Sequence, residues 1–344
     1  MSLIESKFFG SFFSKKNILE GCSMTHRHKV IFDTDPGVDD AMALCFLTRR
    51  PEFDLLAVTT VHGNLDIGTV TRNALWLAER LALDVPVAMG AATPLVRPAG
   101  AGVPHVHGAS GLGDLMPPAQ LARTIDPRPA WQVIVDMVRA YPHEVTLIAI
   151  GPLTNLALAL RHDPGIAELV AGVSLMGGAF GTHGHSGNVS PVAEANILSD
   201  PEAADLVMTA PWTVTILGLD VTQQVVMDAA YLDRLEERGG PDGAFLRAVS
   251  RFYQGFHERS RGLAGIFAHD SLAVIQVMAP HLFTLRHGPV RVVCGGLADG
   301  QTIQKPVGVP GAPAPAWDGA PSCAVAVDVD VGGVLALYAD TFIV

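Results

Sequence analysis

The chain is short of cations, of cysteines and of long apolar runs, and each shortage removes a class of function. Its 23 Lys and Arg face 34 Asp and Glu, for a net charge of −11. No cluster of Lys and Arg stands outside the extreme N-terminus, so a phosphate backbone finds no electrostatic footprint, and nucleic acid is not an expected partner. The four cysteines, Cys22, Cys45, Cys294 and Cys323, lack CxxC spacing, and two lie in apolar segments where a small buried thiol is the usual occupant. That pattern points to a reducing, cytoplasmic setting. The most apolar window, Val145 to Leu160, is broken by Gly151, Pro152, Thr154 and Asn155, falls short of a membrane span and predicts no bilayer crossing. No GxGxxG follows the first strand, and neither a Walker A motif nor GxSxG occurs, so dinucleotide, P-loop and serine-hydrolase chemistry lack their motifs.

What is present begins with VIFDTDPGVDDAMAL, residues 30–44, which sets Asp33, Asp35, Asp39 and Asp40 within eight residues. A short apolar run ending in Asp, then Pro36-Gly37, then Ala41, Leu44, Cys45 and Leu47 at helical spacing reads as strand, tight turn, helix. The acids therefore gather at a strand's carboxyl end, where parallel α/β sheets bind ligands. Asp39 and Asp40 fall in the helix's first turn, which favours anions by about 0.3–1 kcal/mol each. That does not offset the packing of three or four like charges: either some protonate or a cation joins them. All-oxygen donors favour a hard ion, Ca²⁺ or Mg²⁺, over zinc.

The 344 residues suffice for a large core, and alternating β and α patterns predict one α/β domain with a mostly parallel sheet over residues 25–344, preceded by a loose extension over 1–24. Later strand ends repeat the theme. DLLAVTTV runs into His62-Gly63-Asn64, where Asn64 reads equally as a helix cap or a ligand contact. EVTLIAI leads into GPLTN, and the Ile150 carbonyl is a candidate cation ligand whatever its side chain. Gly172–Met176 precedes a glycine-rich loop and then Asn188, Glu194 and Asn196, a set that suits sugar hydroxyls or simply makes a polar loop with a helix cap. His269 and Asp270 stand before a helical pattern, where the ordinary reading is a capping Asp beside a surface His. The Gly/Pro-rich stretch from Gly90 to Pro118 is long enough to be functional or mobile; its His105 and His107, like His183 and His185 later, read as loop polarity. The last hundred residues, with RVVCGG and AVAVDVDV, look like sheet edge and cover.

Taken in order, DTDPGVDD, VHGN, IGPLTN, MGG, GN, AEAN, DPEAA, LGLDVT and HD make the chain resemble the inosine-uridine-preferring nucleoside hydrolases from about Lys29 onward. The resemblance implies an open α/β domain, a bound Ca²⁺, a homodimer or homotetramer, and hydrolysis of a ribonucleoside to ribose and free base. It implies Asp35, Asp40, Asp270 and the Ile150 carbonyl as calcium ligands. Asp39, Asn188, Glu194 and Asn196 would hold the ribose hydroxyls, with Asn64 and Met176 lining the sugar pocket. Asp35 would also be the general base for a metal-bound water, Asp33 would stand behind it, and His269, titrating near neutrality, would protonate the departing base. The chain departs from the family at Ala195, where an aromatic is common, at Ser271, where Pro is common, and at Phe256-His257, where some members carry Tyr-His. Two other readings compete: a non-catalytic calcium-dependent nucleoside binder, and a haloacid-dehalogenase-like phosphatase, which Pro36 and the Asp39-Asp40 pair fit poorly.

Overall fold

The computed structural model describes residues 27–308 and 313–343, so the extension expected over 1–24 lies outside the described residues. Eight strands form the main sheet: β1 (His28–Thr34), β2 (Phe53–Thr60), β3 (Val87–Met89), β4 (Val145–Ala149), β5 (Gly172–Met176), β6 (Val214–Leu217), β7 (Phe283–Gly288) and β8 (Cys323–Val329). Their order is β3-β2-β1-β4-β5-β6-β8-β7. Every neighbouring pair is parallel except β7 against β8 at the edge. The carboxyl ends of β1, β2, β4, β5 and β6 therefore open on one side, the side where ligands bind in such sheets.

The apolar run of β1 explains its central place. Val30 and Phe32 pack into one core with Leu44, Phe46 and Leu272, while Ile31 packs into the other with Ile134, Leu147 and Leu156. A strand apolar on both faces needs helices on both sides, as a parallel sheet provides. Helix α1 (Val38–Arg49) follows the β1 turn and is buried from Val38 to Leu47, with Phe46 stacked on Tyr338 at a centroid distance of 5.2 Å. Four more helices shape the site: α2 (Pro104–His107), α3 (Thr154–His162), α4 (Ala195–Ser199) and α5 (Gly240–Arg261). A sixth, α6 (Ser271–Met278), begins right after Asp270. Among the described residues no helix is long and apolar enough to cross a membrane.

Two expectations change. AVAVDVDV is not cover: as β8 it lies inside the sheet, parallel to β6, with Cys323 to Ala326 buried, and β7 forms the edge on that side. The stretch from Gly90 to Pro118 is not loop throughout, because Pro104 starts the single turn of α2, Pro being suited to a helix's first turn. Three-residue strands such as Val226–Asp228 and Gly265–Phe267, which pair with each other, are too short to show a period in sequence.

Candidate active site

The end of β1, the turn after it and the first turn of α1 bury all four acids, Asp33, Asp35, Asp39 and Asp40. Asp40 is the most firmly held. Its Oδ1 accepts from Thr34 Oγ1 at 2.5 Å and from the Asp35 N–H at 3.2 Å, and its Oδ2 from the Gly37 N–H at 2.9 Å and Asn64 Nδ2 at 3.1 Å. Asp35 Oδ2 accepts from the Asn64 N–H at 2.7 Å, but its Oδ1 is buried without any hydrogen-bond partner. Two glycines let the neighbouring strand ends close on that carboxylate: a Cβ on Gly63 would stand 2.0 Å from Oδ2, and one on Gly151 would stand 2.5 Å from Oδ1. Asp33 stands behind, its Oδ1 bonded to Thr59 at 2.6 Å and Asn155 at 2.8 Å.

The fold brings Asp270 to this turn from the far end of the sequence. One carboxylate oxygen from each of Asp39, Asp40 and Asp270 falls within 4.8 Å of the others. Burial first, then Asp39, Asp40, Asp35 and Glu194, pushes the Asp270 carboxyl well above the usual range. Asp35 is pushed well up by burial and then Asp40, and Asp39 rises to about 8 for the same two reasons. Asp40 and Glu194 are raised by burial too, against several hydrogen bonds that favour their charged forms. Acids so desolvated and mutually repelling, with one orphaned oxygen at Asp35, are compensated best by a hard cation, and an all-oxygen donor set suits one. The tight group includes Asp39 as well as the expected Asp40 and Asp270, with Asp35 alongside.

A cavity of about 190 Å³ opens over this cluster. Among its walls are Asp39, Asn64, Ile150, Met176, Asn188, Glu194, Asn196, His269 and Asp270, which is every residue that the resemblance sets on the ion, the sugar or the departing base except Asp35 and Asp40. Asn196 Nδ2 donates to the Ile150 carbonyl at 2.9 Å and to the Met176 carbonyl at 3.2 Å, leaving its Oδ1 free to accept. Asn188 Oδ1 accepts from the Ala195 N–H at 3.0 Å, leaving its NH₂ free to donate. Glu194 caps α4, accepting from the N–H groups of Asn196 at 2.9 Å and Ile197 at 3.1 Å, so the cap reading holds, and the same side chain lines the cavity.

Other ordinary readings fail. Asn64 caps no helix, since Asp66 caps the one that follows, and it binds Asp35 and Asp40 instead. Asp270 makes no side-chain cap bond to α6. His269 is not a surface residue: it is buried, its Nδ1 lies 2.7 Å from Thr222 Oγ1, and burial followed by His257, Arg261 and His107 pulls its pKa down to about 3 rather than leaving it near neutrality. His107 is not loop polarity either. It is buried, its Nδ1 accepts from the Val38 N–H at 3.2 Å, and burial pulls it to about 3. The Val38 bond leaves the proton on Nε2. His183 and His185 do remain loop residues, bonded to the Val327 carbonyl and to Gln223.

The opposite wall is legible in the sequence only in part: Phe256-His257 stands out as a departure from the family resemblance, whereas His107 and Tyr253 do not. His107 stacks on Tyr253 at 5.3 Å, Tyr253 meets His257 edge-on at 4.4 Å, and Phe256 and Arg261 complete the lining. Both ring nitrogens of His257 are buried without a partner. A signal existed: Phe245, Val249, Tyr253 and His257 recur every four residues along α5 and are all buried, so His257 continues the helix's inward stripe.

Comparison with known proteins agrees with this geometry. The family profile described as inosine-uridine preferring nucleoside hydrolase matches residues 30–336. A probable uridine nucleosidase from Oryza sativa subsp. japonica is 40% identical over 312 residues, covering 90% of this chain and 95% of that protein. An inosine-uridine preferring nucleoside hydrolase from Leishmania major is 40% identical over 278 residues, covering 80% and 87%. The solved structure of a plant nucleoside hydrolase superposes with a TM-score of 0.86 at 37% identity, covering 92% of this chain and 99% of its own. The strand-end acids, the cavity above them and this similarity along nearly the whole described chain have one explanation: the chain belongs to the inosine-uridine preferring nucleoside hydrolase family, a family of N-ribosyl hydrolases.

Proposed function

We propose that the chain hydrolyses the N-glycosidic bond of ribonucleosides in a calcium-dependent reaction, with Asp35 as general base. The observation that carries this reading is the unpartnered Asp35 Oδ1, buried beside the close group of Asp39, Asp40 and Asp270 under a cavity with an aromatic far wall. Asp40, Asp270, Asp35 and the Ile150 carbonyl would hold the ion. When bound, it would neutralise these carboxylates and make a nearby water more acidic.

The ribose hydroxyls both donate and accept, and the open valences match them. Asp39, Glu194 and the free oxygen of Asn196 accept, and the free NH₂ of Asn188 donates. N-riboside cleavage passes through an oxocarbenium-like state, so carboxylates beside the sugar stabilise the developing charge while water attacks the face opposite the base. The water oxygen bonds to the anomeric carbon, its proton goes to Asp35, and the C–N bonding pair leaves with the base. That pair needs a hydrogen bond or a proton. In the tautomer whose Nδ1 accepts from Thr222 Oγ1, Nε2 of His269 carries the N–H that meets it.

The test is to follow free base and reducing sugar released from uridine and inosine by protein reloaded with Ca²⁺ after chelation. Release of both, lost on chelation and restored by Ca²⁺ better than by Mg²⁺, is the expected result. A protein that binds nucleosides but releases neither product would be a binder, and the reading would fall.

A further inference from the structure

A second cavity, of about 280 Å³, adjoins the first, and the two share Asn64, Val103, Val189, Ala195 and Asn196 in their walls. Asp35 lines the second cavity and not the first. We propose that this second cavity is a separate water conduit leading to Asp35, so that water still reaches the base residue when a nucleoside fills the first cavity. The inference rests on the general-base reading of Asp35 and adds a route to it.

The burial pattern gives the conduit its direction. Asp35 is 1% exposed, whereas Gly100, on the same cavity, is an exposed loop residue, so the space runs from solvent to the buried carboxylate. Attack on an oxocarbenium-like carbon requires water on the face away from the leaving base. A nucleoside in the first cavity fills the space under the aromatic wall and closes that side. The second cavity reaches Asp35 from beyond the wall of Asn64, Val103, Val189, Ala195 and Asn196 that it shares with the first. Its walls carry the polar partners water needs: the two asparagines, the Ser199 hydroxyl and the Asp35 carboxylate. Arg97 also borders it but does not make it an anion subsite, because Glu202 and Asp299 each hold the guanidinium at 2.7 Å and neutralise it.

Gly100 is a place on this cavity's rim where bulk can be added without a clash. A Cβ there would meet nothing within 4 Å, and the residue does not need a left-handed backbone. The series Gly100→Ala, Gly100→Leu and Gly100→Phe adds bulk in steps, and Ser199→Phe does so from a different wall. In Ca²⁺-loaded enzyme, the first-turnover rate of base release from uridine should fall with side-chain size, by about tenfold in the Phe variants. KM, the Kd of a ribose-like inhibitor and Tm should stay put. An unchanged first turnover in both Phe variants would overturn the conduit. So would a burst of base at the parental rate followed by slow turnover, which would make the cavity a sugar exit, or a matching rise in the inhibitor's Kd, which would make it part of the sugar site. Asp35→Asn, measured in parallel, separates the two ideas. If that variant keeps full speed, the general-base reading falls; if it is inactive while the plugged enzymes are fast, only the conduit falls.

Discussion

The two walls of the cavity are built by different means. The acid wall rests on strand ends: Asp35 and Asp40, which lie beneath it, follow β1, Asn64 follows β2, Ile150 follows β4, and backbone N–H groups tie Asp35 and Asp40 in place. The aromatic wall is made of α2 and α5, where His107, Tyr253 and His257 hold one another by ring contacts and His257 makes no hydrogen bond at all. A strand end is fixed by its ladder on both sides, so it can hold a carboxylate within tenths of an ångström. A helix face is fixed by packing, which tolerates exchange of one ring for another. On the proposed function, chemistry common to all ribonucleosides would belong on the first wall and discrimination among bases on the second.

The sharpest way to break this division is Asp35→Asn, which keeps the shape and removes the base. General-base catalysis is worth about 10²–10⁴-fold, so kcat should fall by that much while the affinity for a ribose-like inhibitor holds. A variant that lost inhibitor binding in proportion would show that Asp35 acts through the sugar site instead. Next in size is removal of the ion. At a ligand concentration of 100 Kd, binding to the folded state stabilises it by about 2.7 kcal/mol, so chelation should lower Tm and added Ca²⁺ should restore it. Asp270→Asn should abolish the restoration. Smaller again is His269→Ala, which removes one hydrogen bond to the departing base, worth about 0.5–1.5 kcal/mol or up to roughly tenfold in kcat. A riboside whose leaving group is already a stable anion should be cleaved at an undiminished rate, and equal loss on both substrates would remove His269 from that role.

The same contrast explains what the sequence made legible. DTDPGVDD packs a strand end, a turn and a helix start into eight residues, so the acid cluster and its need for a cation follow from local chemistry. Strand β5 matches its expected bounds to the residue, because Gly172–Met176 is a short apolar run between a helix end and a glycine pair. Asp270 has no such local signal; only the family resemblance brought it to Asp35, and the structure shows it within reach of Asp39 and Asp40. His107 was unreadable for another reason. Its neighbours are Gly and Pro without a period, and its burial arises only when α5 docks against it. His257 lay on a visible four-residue stripe, yet a polar residue at the end of an apolar pattern reads as the pattern's limit rather than its continuation.

The smallest expected effect concerns that residue and tests the tolerance of the aromatic wall. Burial, followed by Arg261, lowers the His257 pKa from 6.5 to about 4. Between those values the unfolded chain binds a proton that the folded chain refuses, so stability rises with pH through that window and is lost as the solution is acidified. His257→Phe removes the penalty and leaves no buried nitrogen without a partner. At pH 7, where the histidine is neutral in both states, the variant should match or slightly exceed the parent in Tm, since an unsatisfied buried donor is itself destabilising. As pH falls from 6.5 toward 4.5 the gap should widen in favour of the variant, while kcat at pH 7 should change less than in any of the substitutions above. A gap that stayed constant with pH would mean that His257 is charged inside the fold, and a collapse of kcat would move it from the tolerant wall to the fixed one.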